Sequence, residues 1–90
     1  MAVIVSISPA LYQDGDKPNR VAVSGGTVGE CLGDLAKKLP GVEKKLFDGI
    51  GKLLNYVDIY VNGKSAYPEE LTKKVKDGDE IYIMVTISGG

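Results

Sequence analysis

The residues best suited to chemistry stand at the end of this 90-residue sequence, where Ser88-Gly89-Gly90 offers a carboxylate on a stem without side-chain bulk. Residues lacking Cβ pass where others clash and accept backbone angles closed to other residues. Such an end suits a carboxylate that must be threaded through a narrow channel into another protein's active site. A carboxylate is a poor electrophile in water. Adenylation by ATP would give it a leaving group, after which a sulfur or amine nucleophile could attack. A flexible tail also loses entropy when it is held, which favours release after reaction.

The rest of the composition narrows the chemistry by exclusion. There is no His and no Trp, and Cys31 stands alone. That removes imidazole base catalysis, His-rich metal sites, an internal disulfide framework and a four-Cys iron–sulfur cluster. No resident cofactor is expected. A formal net charge of -1 argues against nucleic acid as a partner. The opening Met1-Ala2-Val3-Ile4-Val5-Ser6-Ile7-Ser8-Pro9 has no basic start and no long apolar run, so no signal peptide is read there. No segment has transmembrane length, so no membrane partner is expected. With one unpaired Cys, the expected location is cytoplasmic. Cys31 reads as a small buried hydrophobe.

Weaker signals are set aside. Gly25-Gly26-Thr27-Val28-Gly29 sits between a strand and a helix, but its spacing is not that of a dinucleotide fingerprint. The Asp-Gly-Asp sequences at Asp14 and Asp77 lack the distal Glu of a calcium loop and read as turns. The pairs Lys37-Lys38, Lys44-Lys45 and Lys73-Lys74 have acids nearby and read as solvated faces.

The elements that must carry the tail follow from periodicity. Val3 to Ser8 alternates as a strand, Pro9 to Asn19 is turn chemistry, and Arg20 to Ser24 is a second strand. Thr27 and Glu30 are spaced as a capping box, with the hydroxyl on the Glu30 amide and the carboxylate on the Thr27 amide. Val28, Cys31, Leu32, Leu35, Ala36 and Leu39 then form one helical stripe, stopped by Pro40-Gly41. A short helical turn is expected at Val42 to Asp48, with Val42, Leu46 and Phe47 inward, and a loop from Asp48 to Lys52. Tyr56 to Val61 alternates as a strand, Asn62-Gly63 is a hairpin turn, and a short edge strand follows near Lys64 to Ala66. Pro68 to Leu71 reads as a helical turn, and Glu80 to Ile87 as the last strand.

Several aliphatic strand faces and one helical stripe need each other to leave water. One sheet around one helix is the economical solution, an α+β fold. The element order is that of the β-grasp, or ubiquitin-like, fold: a mixed sheet of about five strands wrapped around one main helix. Residues 1–87 would form that domain and residues 88–90 a flexible Gly-Gly tail.

With that order and that ending, the whole chain resembles the ThiS/MoaD sulfur-carrier proteins, which are ubiquitin-like and end in Gly-Gly. The resemblance implies a protein co-substrate and not an enzyme. It implies that Gly90 is adenylated by an E1-like activating enzyme, which uses the ATP, and becomes a thiocarboxylate that donates sulfur to a biosynthetic enzyme. Ser88, Gly89 and Gly90 would enter the partner's active site. Gly51 to Gly63 and Val3 to Pro9 look like the matching regions of the cysteine-biosynthesis carriers. Those serve a pyridoxal-phosphate-dependent sulfhydrylase, and related ones serve homocysteine synthesis. The small subunit of molybdopterin synthase, which works with its large subunit, shares the tail. Many of its members carry a Pro shortly before the final glycines, where this chain has Met84-Val85-Thr86-Ile87-Ser88. A ubiquitin-like modifier joined through Gly90 to lysines needs the same activated tail.

In a β-grasp sheet the last strand lies between the first and third. The face away from the helix would then present Ile4, Tyr60, Tyr82 and Met84 as one apolar patch. Tyr and Met are typical of interfaces, so the patch is a candidate docking surface for the activating and acceptor enzymes; cover for an open sheet face is the plainer reading.

Overall fold

Alternation with period 2 marks the longer strands, the Asn62-Gly63 turn adds a two-residue edge strand, and one stripe with period 3.6 produces the helix they enclose. The computed structural model describes residues 2–9, 19–39 and 41–85. Its strands are β1 (Val3–Ile7), β2 (Arg20–Val23), β3 (Val57–Val61), β4 (Lys64–Ser65) and β5 (Glu80–Val85). Helices α1 (Val28–Lys38) and α2 (Val42–Leu46) lie between β2 and β3, and a 3-10 turn (Glu70–Thr72) precedes β5. The sheet order is β2-β1-β5-β3-β4. Strand β5 runs parallel to β1 and antiparallel to β3, so the sheet is mixed. This is the expected β-grasp arrangement, with the last strand at the centre. The expected boundary between residues 87 and 88 lies outside the described residues.

The core is where the two periodicities meet. Val28, Cys31, Leu32 and Leu35 of α1 are fully buried against Val3, Val5 and Ile7 of β1 and Ile81 and Ile83 of β5. Each fully buried aliphatic side chain of this size contributes roughly 1.5–3 kcal/mol. The expected inward residues of α2 are found inward: Val42 and Leu46 are buried, and Phe47 packs half-buried against the core.

Local chemistry sets the element ends. The Thr27 hydroxyl accepts from the Glu30 amide at 3.2 Å, as a capping box requires. The Glu30 carboxylate, however, accepts from the Gly26 amide at 2.7 Å, one residue earlier than expected. It caps the bend before the helix instead of Thr27. The preceding chain is pulled in by two bonds to the stretch after the 3-10 turn, Val28 N to Lys73 O and Val75 N to Gly26 O. Gly29 is required here by space: a Cβ at this position would stand 2.9 Å from the Leu71 carbonyl oxygen.

Asn62 and Gly63 take φ of 51° and 85°, the left-handed pair that a tight hairpin between β3 and β4 needs. The third strand starts at Val57 and not Tyr56, because the Val57 amide closes a turn onto the Leu54 carbonyl. The outer edge of β2 is covered by α1 side chains. Asp34 accepts from the Ser24 amide at 2.9 Å, and Lys38 donates to the Ala22 carbonyl at 2.8 Å. That occupies backbone groups on which another chain's strand could otherwise pair.

Candidate functional site

The strand that leads to the Gly-Gly end is held on both sides. Val85 stands opposite Val57, and the Ser8 amide donates to the Ile83 carbonyl at 2.8 Å. Ile81 and Ile83 point into the core with no exposed surface. Strand β5 is therefore fixed by two neighbouring strands and by the burial of Ile81 and Ile83. Ser88, Gly89 and Gly90, the expected reactive end, lie outside the described residues.

On the sheet face away from α1, register decides which side chains meet. Tyr60 stands opposite Tyr82, and Asp58 opposite Met84. Ser6, and not Ile4, is the β1 partner of Tyr82. Tyr82 is exposed, while Tyr60 and Met84 are half-buried. The three border a shallow hollow of about 370 Å³ together with Ser6, Gly63 and Glu80. Of the expected patch, Tyr60, Tyr82 and Met84 are thus brought together. Ile4 is not among the hollow's walls: it pairs with Glu80, one row further along, and meets Tyr82 only on the diagonal. The patch is also less apolar than expected, with Glu80 at one end and Asp58 at the other. Arg20 approaches Glu80 at 3.9 Å, but both are well exposed, so the pair contributes little. Alternation within each strand identified the face. The neighbours depend on the offset between β1 and β5, for which short-range sequence carries no signal.

Three other groups matter electrostatically. Cys31 is fully buried, and its Sγ approaches the Gly25 carbonyl at 3.7 Å. Burial pushes its thiol pKa up, and the carboxylates of Glu30 and Asp34 add to that, so the thiol stays protonated and unreactive. Asp34 is held below the usual carboxylate range, first by the Ser24 amide. Asp79 is the one buried charged residue among those described. It accepts from the Asn62 side chain at 3.1 Å and the Lys76 amide at 2.9 Å, which hold its pKa down in that order. Reading Asp77-Gly78-Asp79 as a turn was correct, but Asp79's tie to Asn62 has no local sequence signature. Among the described residues no group of three or more acidic, Cys or His side chains is placed to hold a metal ion. No helix among them is long and apolar enough to cross a membrane.

Comparison with known proteins turns this geometry into a family assignment. The model of the ThiS family matches residues 12–90. The chain belongs to the ThiS family. Small archaeal modifier protein 1 of Haloferax volcanii is 34% identical over 77 residues, covering 84% of this chain and 85% of that protein. A protein of Archaeoglobus fulgidus described as a candidate sulfur carrier is 31% identical over 91 residues, covering both chains completely. Among solved structures, a chain of the Amycolatopsis orientalis BexX/CysO complex superposes with a TM-score of 0.84 at 31% identity. It covers 99% of this chain and 100% of its own. ThiS-family relatives of this chain are thus small carrier and modifier proteins built on the same β-grasp, and one of them is known in a complex with another protein.

Proposed function

We propose that this ThiS-family chain is a sulfur carrier whose reactive group is the carboxylate of Gly90. The observation that carries the reading is that the family match runs through residue 90, so Gly89-Gly90 falls inside the segment shared with the family. The carboxylate oxygen attacks the α-phosphorus of ATP in an E1-like enzyme, and pyrophosphate leaves. Hydrosulfide then attacks the carbonyl carbon of the acyl adenylate, AMP leaves, and a thiocarboxylate remains on Gly90. The chain supplies no catalytic side chain. Its part is to hold the root of β5 rigidly and present the tail, while Tyr60, Tyr82 and Met84 dock the partner. The acceptor is a pyridoxal-phosphate-dependent sulfhydrylase of cysteine or homocysteine synthesis, a choice supported by the likeness to the CysO complex. Such exchange belongs in the cytoplasm.

A second reading has its own support in the 34% identity to small archaeal modifier protein 1. Here an amine attacks the same adenylate, and Gly90 forms an isopeptide bond with a lysine. Both readings require adenylation. ATP–pyrophosphate exchange, measured with the cognate activating enzyme, should proceed with the full chain and stop when Gly90 is deleted. Equal exchange by the shortened chain would contradict both. Given activation, higher-mass adducts in cell extract without thiocarboxylate would select the modifier.

A further inference from the structure

Four large apolar side chains are exposed among the described residues, and only Tyr82 lies on the sheet face already described. Ile50 is 78% exposed, Tyr67 75% and Tyr56 47%. Tyr67 lines a different surface, built from residues 43–58 and 67–72, while Ile50 and Tyr56 are chain neighbours of its wall residues Gly49, Gly51, Asn55 and Val57. Three hollows of about 460, 440 and 300 Å³ follow one another there. The first and second share Gly51 as a wall; the second and third share Leu53 and Glu70. They form one groove whose floor includes the half-buried Phe47, Leu53, Leu54 and Leu71.

The groove's rim is ordered. Asp48 Oδ1 accepts from the amides of Ile50 at 2.9 Å and Lys52 at 3.0 Å. The Asp48 amide donates to the Lys52 carbonyl at 2.8 Å, and Phe47 bridges to Leu53. Ile50 is thus held out on a loop fixed by its own hydrogen bonds, so less entropy is lost when a partner covers it. An isolated exposed apolar residue needs no explanation, but Tyr67 in the wall of an apolar-floored groove, with Ile50 held out between two further wall residues, marks an interaction surface.

Charge selects the occupant. Glu43, Asp48, Asp58, Glu69 and Glu70 line the groove against only Lys44 and Lys52, in a chain whose formal net charge is -1. This surface is more acidic than the molecule as a whole. Two copies would bring like charge against like charge, and a nucleic acid would be repelled. We infer that the groove docks a basic segment of a partner protein, in which apolar residues for the Leu53 and Leu71 floor are interspersed with Lys or Arg for the acidic rim. The third hollow includes Val57, the register partner of Val85, so the groove reaches the strand that pairs with β5. The inference holds whether the tail carries sulfur or joins a lysine.

The test is a nuclear magnetic resonance titration of the labelled full chain with three short synthetic peptides. One alternates leucine with lysine, one leucine with glutamate, and one serine with lysine. Saturable shifts are expected for the leucine–lysine peptide alone, centred on the amides of Leu53, Asn55 and Leu71. The double variant Ile50→Ser, Tyr67→Ser removes only exposed side chains and leaves the loop's hydrogen bonds. It should weaken binding about tenfold or more. Glu69→Gln with Glu70→Gln should weaken binding and flatten its salt dependence. Circular dichroism confirms that each variant is folded. Four results would overturn the inference: no saturable binding, shifts centred on Ser6, Tyr60 and Tyr82, equal binding by the serine–lysine peptide, or undiminished binding by the Ile50 and Tyr67 variant. Self-association through Ile50 would replace the basic partner with a second copy and overturn it as well.

Discussion

At Asp79 one residue serves three elements. Its carboxylate accepts from the Asn62 side chain at the β3–β4 turn and from the Lys76 amide before β5, while its carbonyl accepts from Ile4 of β1. Because the folded state holds the carboxyl below its ordinary pKa, this group stabilises the fold above the unfolded carboxylate range. That contribution is lost as pH falls through the lowered folded value. Asp79→Asn should therefore be less stable than the parent at neutral pH, and the two should converge in acid; chemical denaturation across pH measures this. A constant difference at every pH would show that Asp79 acts by packing alone. The sequence reading located this residue in a turn and missed its role, because its partner Asn62 lies 17 positions away. Cys31 was legible for the opposite reason: its position on the helical stripe was enough to place it in the core. Gly90 is named from residue type and position in the sequence alone, and it lies outside the described residues.

Helix α1 carries two glycines in opposite situations, and they give a paired prediction. A Cβ at Gly29 meets the Leu71 carbonyl oxygen at 2.9 Å, whereas at Gly33 it meets nothing within 4 Å. Gly29→Ala should cost about 1–3 kcal/mol through overpacking. Gly33→Ala should add about 0.5–1 kcal/mol, by removing the entropy that an exposed mid-helix glycine loses on folding. Thermal unfolding of the two variants checks both signs. Element types and their order followed from the sequence because the periodicities are strong: Val3, Val5 and Ile7 alternate, and Val28, Leu32 and Leu35 recur at helical spacing. What the pattern did not carry was contact between distant segments. The 3-10 turn formed at Glu70–Thr72 because the following residues bond to Gly26 and Val28, and the packing of Leu71 against Gly29 belongs to the same contact. Likewise Ile4 met Glu80, and the loop from Asp48 to Lys52 became one rim of a groove.

For the molecule as a whole, the proposed function puts the chemistry on the Gly-Gly end and leaves docking and orientation to the side chains. β5 lies at the centre of the sheet, bonded to β1 and β3, and carries Tyr82 and Met84 of the outer face. Tyr60→Lys with Met84→Lys alters the outer sheet face and leaves the core stripe intact. It should slow adenylation about tenfold or more while changing unfolding stability by only about 0.5–1 kcal/mol. Unchanged adenylation kinetics would remove the sheet face from the account. The proposed conversion of Gly90 to a thiocarboxylate is read directly by intact mass spectrometry. The chain is incubated with its activating enzyme, ATP and a sulfur donor, alongside a control without ATP. A mass gain equal to one oxygen exchanged for sulfur is expected, confined to the terminal peptide and absent without ATP. An unchanged mass under conditions where adenylation of the chain is demonstrated would contradict it.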